Sequence, residues 1–191
     1  MSAPDRNPNG YVRRPGQTAR LEDALGYDFS DSNLLDRALT HRSAASESGH
    51  PFGNERLEFL GDRVLGLLIS EYLLATHPDE PEGAIARRFT ALVRREALEQ
   101  VADRIALGRY MVLSEAEERS GGRANRSLQA NACEALIGAI YLDGGLEAAR
   151  AFIMRYWMPL IRDGKGRPPR DPKTRLQEWA QARGLALPQY L

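Results

Sequence analysis

The sequence carries a single cysteine, Cys133, among 191 residues. That excludes an internal disulfide and fits a reducing cytoplasm. Neither sign of charge is in excess: 26 Lys and Arg balance 26 Asp and Glu. A polycation that grips nucleic acid by bulk charge is therefore excluded, whereas a segregated basic patch is not. Long apolar runs are also missing. The longest, residues 64–69, is far too short to span a bilayer, so no membrane partner is expected. The opening MSAPDRNPNGYVRRPG lacks the apolar stretch of a signal peptide. No segment alternates apolar and polar residues at period two, which argues against strands. These absences predict a soluble cytoplasmic protein, long enough for one domain with a real core.

What remains is helical periodicity. Residues 1–18 are rich in Pro, Gly, Asn and Arg and read as a loose tail. From Ala19 onward the pattern predicts an all-α domain over residues 19–162. A short helix ends near Gly26. A second, capped by Asp31 or Ser32, carries Leu34, Leu35, Ala38 and Leu39 at helical spacing. SAASESGHPFG reads as a loop. A long helix runs from Asn54 to about Thr76, broken by Pro78 and Pro81. One or two helices follow from Glu82 and end at Gly108. SEAEERSGGRANR reads as a polar loop. An apolar helix from Ser127 is closed by Gly144 and Gly145, and an amphipathic one then stops near Pro159 or shortly after. Residues 163–172, basic and rich in Gly and Pro, read as a linker. Residues 173–191 open a new helix that cannot bury its apolar face unaided.

The stretch NERLEFLGDRVLGLL contains a conflict. At about 100° per residue, Glu55, Glu58 and Asp62 fall within a sector of roughly 60°. The same face continues into Leu65, Gly66 and Ile69, so the acids lead into a core. No Lys or Arg lies three or four residues from Glu58 or Asp62. Burying an unpaired ion costs on the order of several kcal/mol. A second helix repeats the tension. ANACEALIGAIYL is apolar almost all round yet carries Glu134, with Asn131 one turn earlier and Gly138 one turn later. Gly138 would let another backbone come close. Oxygen donors without His or Cys suit Mg²⁺ or Mn²⁺. Pairing with Arg56, Arg63, Arg87 or Arg88 competes evenly with a metal site, and spacing does not decide between them.

NERLEFLGD is similar to the signature of the ribonuclease III family. LEDALGYDFSDSNLLDRALTHRS, PEGAIARRFTALVRREAL and CEALIGAIYLDGG resemble its N-terminal helices, the segment after the signature and its second acidic motif. DPKTRLQEWAQARGLALPQY resembles the opening of a double-stranded-RNA-binding domain, here incomplete. The resemblance implies a homodimeric, Mg²⁺-dependent endonuclease for double-stranded RNA, with Mn²⁺ able to substitute. It implies processing of rRNA precursors and other structured transcripts to 5′-phosphate and 3′-hydroxyl ends. By position, Glu58, Asp62, Asn131 and Glu134 fill the metal-centre places, and Asp62 and Glu134 match the residues named as catalytic. Glu55 and Glu82 match further acids of the cleft, and Phe59 an aromatic that packs across the dimer interface.

One position departs from the pattern. Asn131 stands where the family usually has aspartate, and an amide oxygen brings no negative charge. Weaker Mg²⁺ binding and slower cleavage are expected. A double-stranded-RNA-binding protein with impaired cleavage is the alternative. A helical scaffold whose acids pair with arginines is a third reading. His41, His50 and His77 show no zinc spacing and read as structural or surface residues, and Cys133 as core.

Overall fold

The structure, a computed structural model, describes residues 17–163, Leu176 and residues 179–185. Helix α1 (Gln17–Leu25) precedes α2 (Ser32–Leu39). Asp31 caps α2, its carboxylate accepting the Asn33 N–H at 2.9 Å. The segment from Ser43 is not the loop its composition predicts. It holds a 3₁₀ turn (Arg42–Ala44) and α3 (Ala45–Ser48), closed by Gly49 at φ 74°. The long helix α4 (Glu55–Thr76) follows, then α5 (Glu82–Val93) and α6 (Arg95–Arg104). Arg94, extended at ψ 159°, separates the last two. The polar segment after Ser114 also departs from expectation. Ser114 Oγ accepts the Glu117 N–H at 3.2 Å and starts α7 (Glu115–Arg119). Helices of one turn are too short to display a period, which hides them in a polar sequence.

Helix α8 (Arg126–Asp163) bends sharply at Gly145, whose φ of 75° and ψ of −171° interrupt it where the glycine pair predicts a stop. Its second arm carries Pro159 and continues to Asp163. Among the described residues no strand forms, only an isolated parallel bridge between Thr40 and Val112. No helix among them is long and apolar enough to cross a membrane. The tail expected over 1–18 lies outside the described residues except for its last two positions, which begin α1. The expected linker lies outside them after Asp163. So does most of the segment over 173–191.

Helices α4 and the first arm of α8 form the centre, with α2 and α6 also packed on α8. Leu57, Leu65, Leu68 and Ile69 of α4 meet Leu136, Ile137 and Ile140 of α8, all buried. The amphipathic faces of α1, α2 and α6 close this layer with Leu21, Leu35 and Val101. Two polar ties fix the frame. Trp157, fully buried, donates its Nε1–H to the Leu92 carbonyl at 2.8 Å. Asp143 accepts the Tyr27 hydroxyl at 2.6 Å and the Ser30 and Asp31 N–H groups at 2.8 Å. The turn between α1 and α2 is thereby held against α8.

Candidate functional site

The two acid-bearing helices cross at glycines. A Cβ built on Gly61 would stand 1.8 Å from the Glu134 carbonyl oxygen. One on Gly138 would stand 2.3 Å from that of Leu57. Neither distance is possible for a real side chain, so only glycine permits this approach. Gly138 answers the expectation that another backbone comes close there. Gly61 was legible in principle, since a mid-helix glycine costs about 1 kcal/mol against alanine and asks for a packing reason.

The crossing sets Glu58 and Asp62, one turn apart on α4, opposite Asn131 and Glu134, one turn apart on α8. All four line an open cleft of about 640 Å³ together with Glu55. Arg42, Arg63 and His41 line it as well. Glu82, at the start of α5, is exposed and is not among the cleft-lining residues of the single chain. Asn54, buried just before α4, donates to the Ala38 carbonyl at 3.3 Å and so fixes the acidic helix to α2.

The acids differ in how they are satisfied. Glu55 receives Arg42 at 3.2 Å. Asp62 receives Arg63 at 2.5 Å, and that guanidinium also lies over the Phe59 ring, 4.1 Å from its centre. Arg63 is one of the four arginines that the sequence offers as partners for these acids, and its side chain is long enough to reach back from i+1. Among the described residues, neither Glu58 nor Glu134 has a guanidinium of its own. Burial, followed by the charges of Asp62 and Glu58, raises the Glu134 carboxyl to about 7, against which Arg63 and Arg95 pull only partly. Burial raises Glu58 as well, with Glu55 adding to it. An Asn131 hydrogen bond to the Glu58 carboxylate offsets some of this. Cys133, next in sequence to Glu134, is fully buried in the core, and burial pushes its thiol up.

The cleft thus holds a deficit of positive charge at two hard carboxylates. Hard oxygen donors with raised proton affinity suit a divalent cation of the Mg²⁺ kind. Among the described residues, no three His, Cys, Asp or Glu side chains are already gathered closely enough to hold an ion. Asp62 is turned to Arg63 and would have to leave it. The donor set of carboxylate and amide oxygens fits such a cation.

Three comparisons bear on this site. A family model described as Ribonuclease-III-like matches residues 31–161. Ribonuclease 3 of Jannaschia sp. (strain CCS1) is 51% identical over 168 residues, covering 88% of this chain and 73% of that protein. The crystal structure of the nuclease domain of ribonuclease III from Campylobacter jejuni superposes with a TM-score of 0.69 at 38% identity. It covers 82% of this chain and 99% of that one. A second structure of that domain is described for structural flexibility in the region involved in dimer formation. It gives a TM-score of 0.68 at 41% identity, over 72% of this chain and 93% of that one.

Proposed function

The chain belongs to the ribonuclease III family, an endoribonuclease family, and on that premise we propose that its acidic cleft holds Mg²⁺ and hydrolyses double-stranded RNA. The observation that carries this is the meeting of Glu58 and Glu134. They are two half-buried carboxyls with raised proton affinity, and among the described residues neither has an arginine of its own. Glu58 and Glu134 would hold the dication through their carboxylates and Asn131 through its amide oxygen, and the bound ion would polarise the phosphodiester and lower the pKa of the attacking water. Asp62 would orient the water, and Arg63 and Arg42 would serve the phosphate. Water attacks phosphorus, the bond to the 3′ oxygen breaks, and 5′-phosphate and 3′-hydroxyl ends remain. Structured transcripts such as rRNA precursors are the substrates in this reading.

A homodimer is part of the proposal. Phe59, Leu67 and Leu74 share one face of α4 and are 64%, 55% and 63% exposed. An exposed apolar stripe of this kind marks an interaction face. The family relationship supports a second copy as its occupant.

A second reading is favoured by one observation: the Asn131 amide is engaged with Glu58 as a hydrogen-bond partner. A centre that keeps this bond would bind RNA and cut it poorly. Incubation with long duplex RNA separates the two. Shortening that requires Mg²⁺ or Mn²⁺ and leaves 5′-phosphate ends is the expected result. A gel shift without shortening in either metal establishes the binder instead, and neither result leaves a helical scaffold.

A further inference from the structure

His41 lines the cleft without belonging to the acidic pairs. Its ring is anchored on one side only. Nδ1 accepts the Ser43 N–H at 3.2 Å and stands 2.9 Å from Ser43 Oγ. That hydroxyl in turn accepts the Ser114 N–H at 3.1 Å. The neighbouring backbone is tied as well, since the His41 N–H donates to the Val112 carbonyl at 2.9 Å. An Nδ1 that accepts a backbone N–H cannot carry a proton, so a neutral ring has its hydrogen on Nε2. Burial lowers the His41 pKa below the ordinary imidazole value, which favours that neutral ring, against the opposing charge of Glu117. Among the described residues Nε2 has no hydrogen-bond partner, while His41 is one of the residues that line the cleft.

We propose that His41 is a substrate-binding residue that donates its Nε2–H to a non-bridging phosphate oxygen of the RNA strand in the cleft. The proposal rests on the nuclease reading above. The chemistry asks for such a donor. A phosphodiester entering beside Glu55, Glu58 and Glu134 needs N–H groups on its far side, and a donor already oriented by Ser43 loses little freedom on binding. A neutral donor also acts differently from Arg42. It adds a directed hydrogen bond without releasing a counterion.

Two substitutions separate this role from a structural one. In His41→Asn, the side-chain oxygen takes the place of Nδ1 at the start of the 3₁₀ turn, a position where asparagine is favoured, and the outward donor is lost. In His41→Gln, the amide nitrogen reaches the Nε2 position, and the inner acceptor is lost. Binding of a labelled RNA duplex is measured in Ca²⁺, and kcat and KM in Mg²⁺, with melting temperature recorded for each protein. His41→Asn is expected to melt like wild type and to weaken binding and raise KM about tenfold, the worth of one hydrogen bond to a charged group. The slope of log affinity against log salt stays unchanged. His41→Gln should bind within about threefold of wild type even if it melts lower, because it retains the donor. Wild-type binding by His41→Asn overturns the proposal. So does a selective loss in His41→Gln, which would mark the ring as a brace only. If wild type itself neither cuts nor binds the duplex, the nuclease reading has failed and this proposal falls with it, an outcome the wild-type lane alone reveals.

Discussion

Gly61 of α4 and Gly138 of α8 lie back to back at the helix crossing. A Cβ on Gly61 would be 2.9 Å from the Gly138 nitrogen, and a Cβ on Gly138 would be 3.1 Å from the Gly61 nitrogen. The absence of two side chains therefore sets the separation of the four cleft residues. Gly61→Ala should push the helices apart and cost about 1–3 kcal/mol, the usual range for overpacking a core. Gly66→Ala is the control on the same helix. Its Cβ would meet only the Phe89 ring at 3.6 Å, and it gains about 1 kcal/mol of helix propensity. Urea unfolding compares the two. Equal stability of the two variants would contradict the tight crossing.

Glu134→Gln should reduce cleavage by on the order of 10³-fold or more while leaving the fold intact. Its stability reveals the electrostatics. The Glu134 carboxyl is raised to about 7 in the folded chain from an ordinary 4.5. Between those values the folded state holds more protons than the unfolded one. The protonated carboxyl thus contributes stability that is fully present below 4.5 and lost as pH rises through about 7. In EDTA the melting temperature of wild type should fall across this window. Its slope stays below the ~1.4 kcal/mol per pH unit that one proton allows, because the partly exposed carboxyl is screened. Glu134→Gln should flatten that profile, and Mg²⁺ should raise the melting temperature of wild type alone. A profile that is identical in the two proteins would refute the assignment.

Asn131→Asp tests the charge of the centre. It removes the hydrogen bond that the amide makes to Glu58 and adds a third carboxylate to an already repulsive group. Without metal the variant should melt lower than wild type. With metal, the added charge should lower the Mg²⁺ concentration for half-maximal cleavage about tenfold, because ligand charge sets affinity. Titration of Mg²⁺ in a cleavage assay measures this. An unchanged midpoint would remove Asn131 from the metal centre.

Leu67→Arg addresses the exposed face of α4. Leu67 lies between Phe59 and Leu74 on that face, away from the cleft acids. A charge buried in an apolar contact, together with the loss of about 1.5–3 kcal/mol of leucine burial, should weaken the dimer at least a hundredfold. Sedimentation velocity should show a folded monomer. A dimer of unchanged affinity would move the interface elsewhere.

The fate of Asp62 shows where the reach of sequence reading ends. Helical spacing correctly excludes a partner three or four residues away and leaves Arg63 among four candidate arginines, without deciding between them and a metal. In the fold Arg63 turns back and pairs with Asp62. The face on which Asp62 lies is a property of the helix. The partner it takes is decided by what else competes for it. His41 makes the same point at longer range. Its role depends on Ser43 and, through that hydroxyl, on Ser114, whose N–H reaches Ser43 Oγ across the fold. No local pattern records that contact.

The sequence by itself determined the all-α class, the acidic stripe on α4 and the matching oxygens on α8. Spacing of i, i+3 and i+4 fixes a helix face wherever the helix stands. The tertiary structure alone decided that the two faces meet and that an apolar stripe is left outside. It also decided which acids find arginines. Distances between elements depend on packed backbones and absent side chains, as at Gly61 and Gly138, and those are properties of the assembled fold rather than of any one segment.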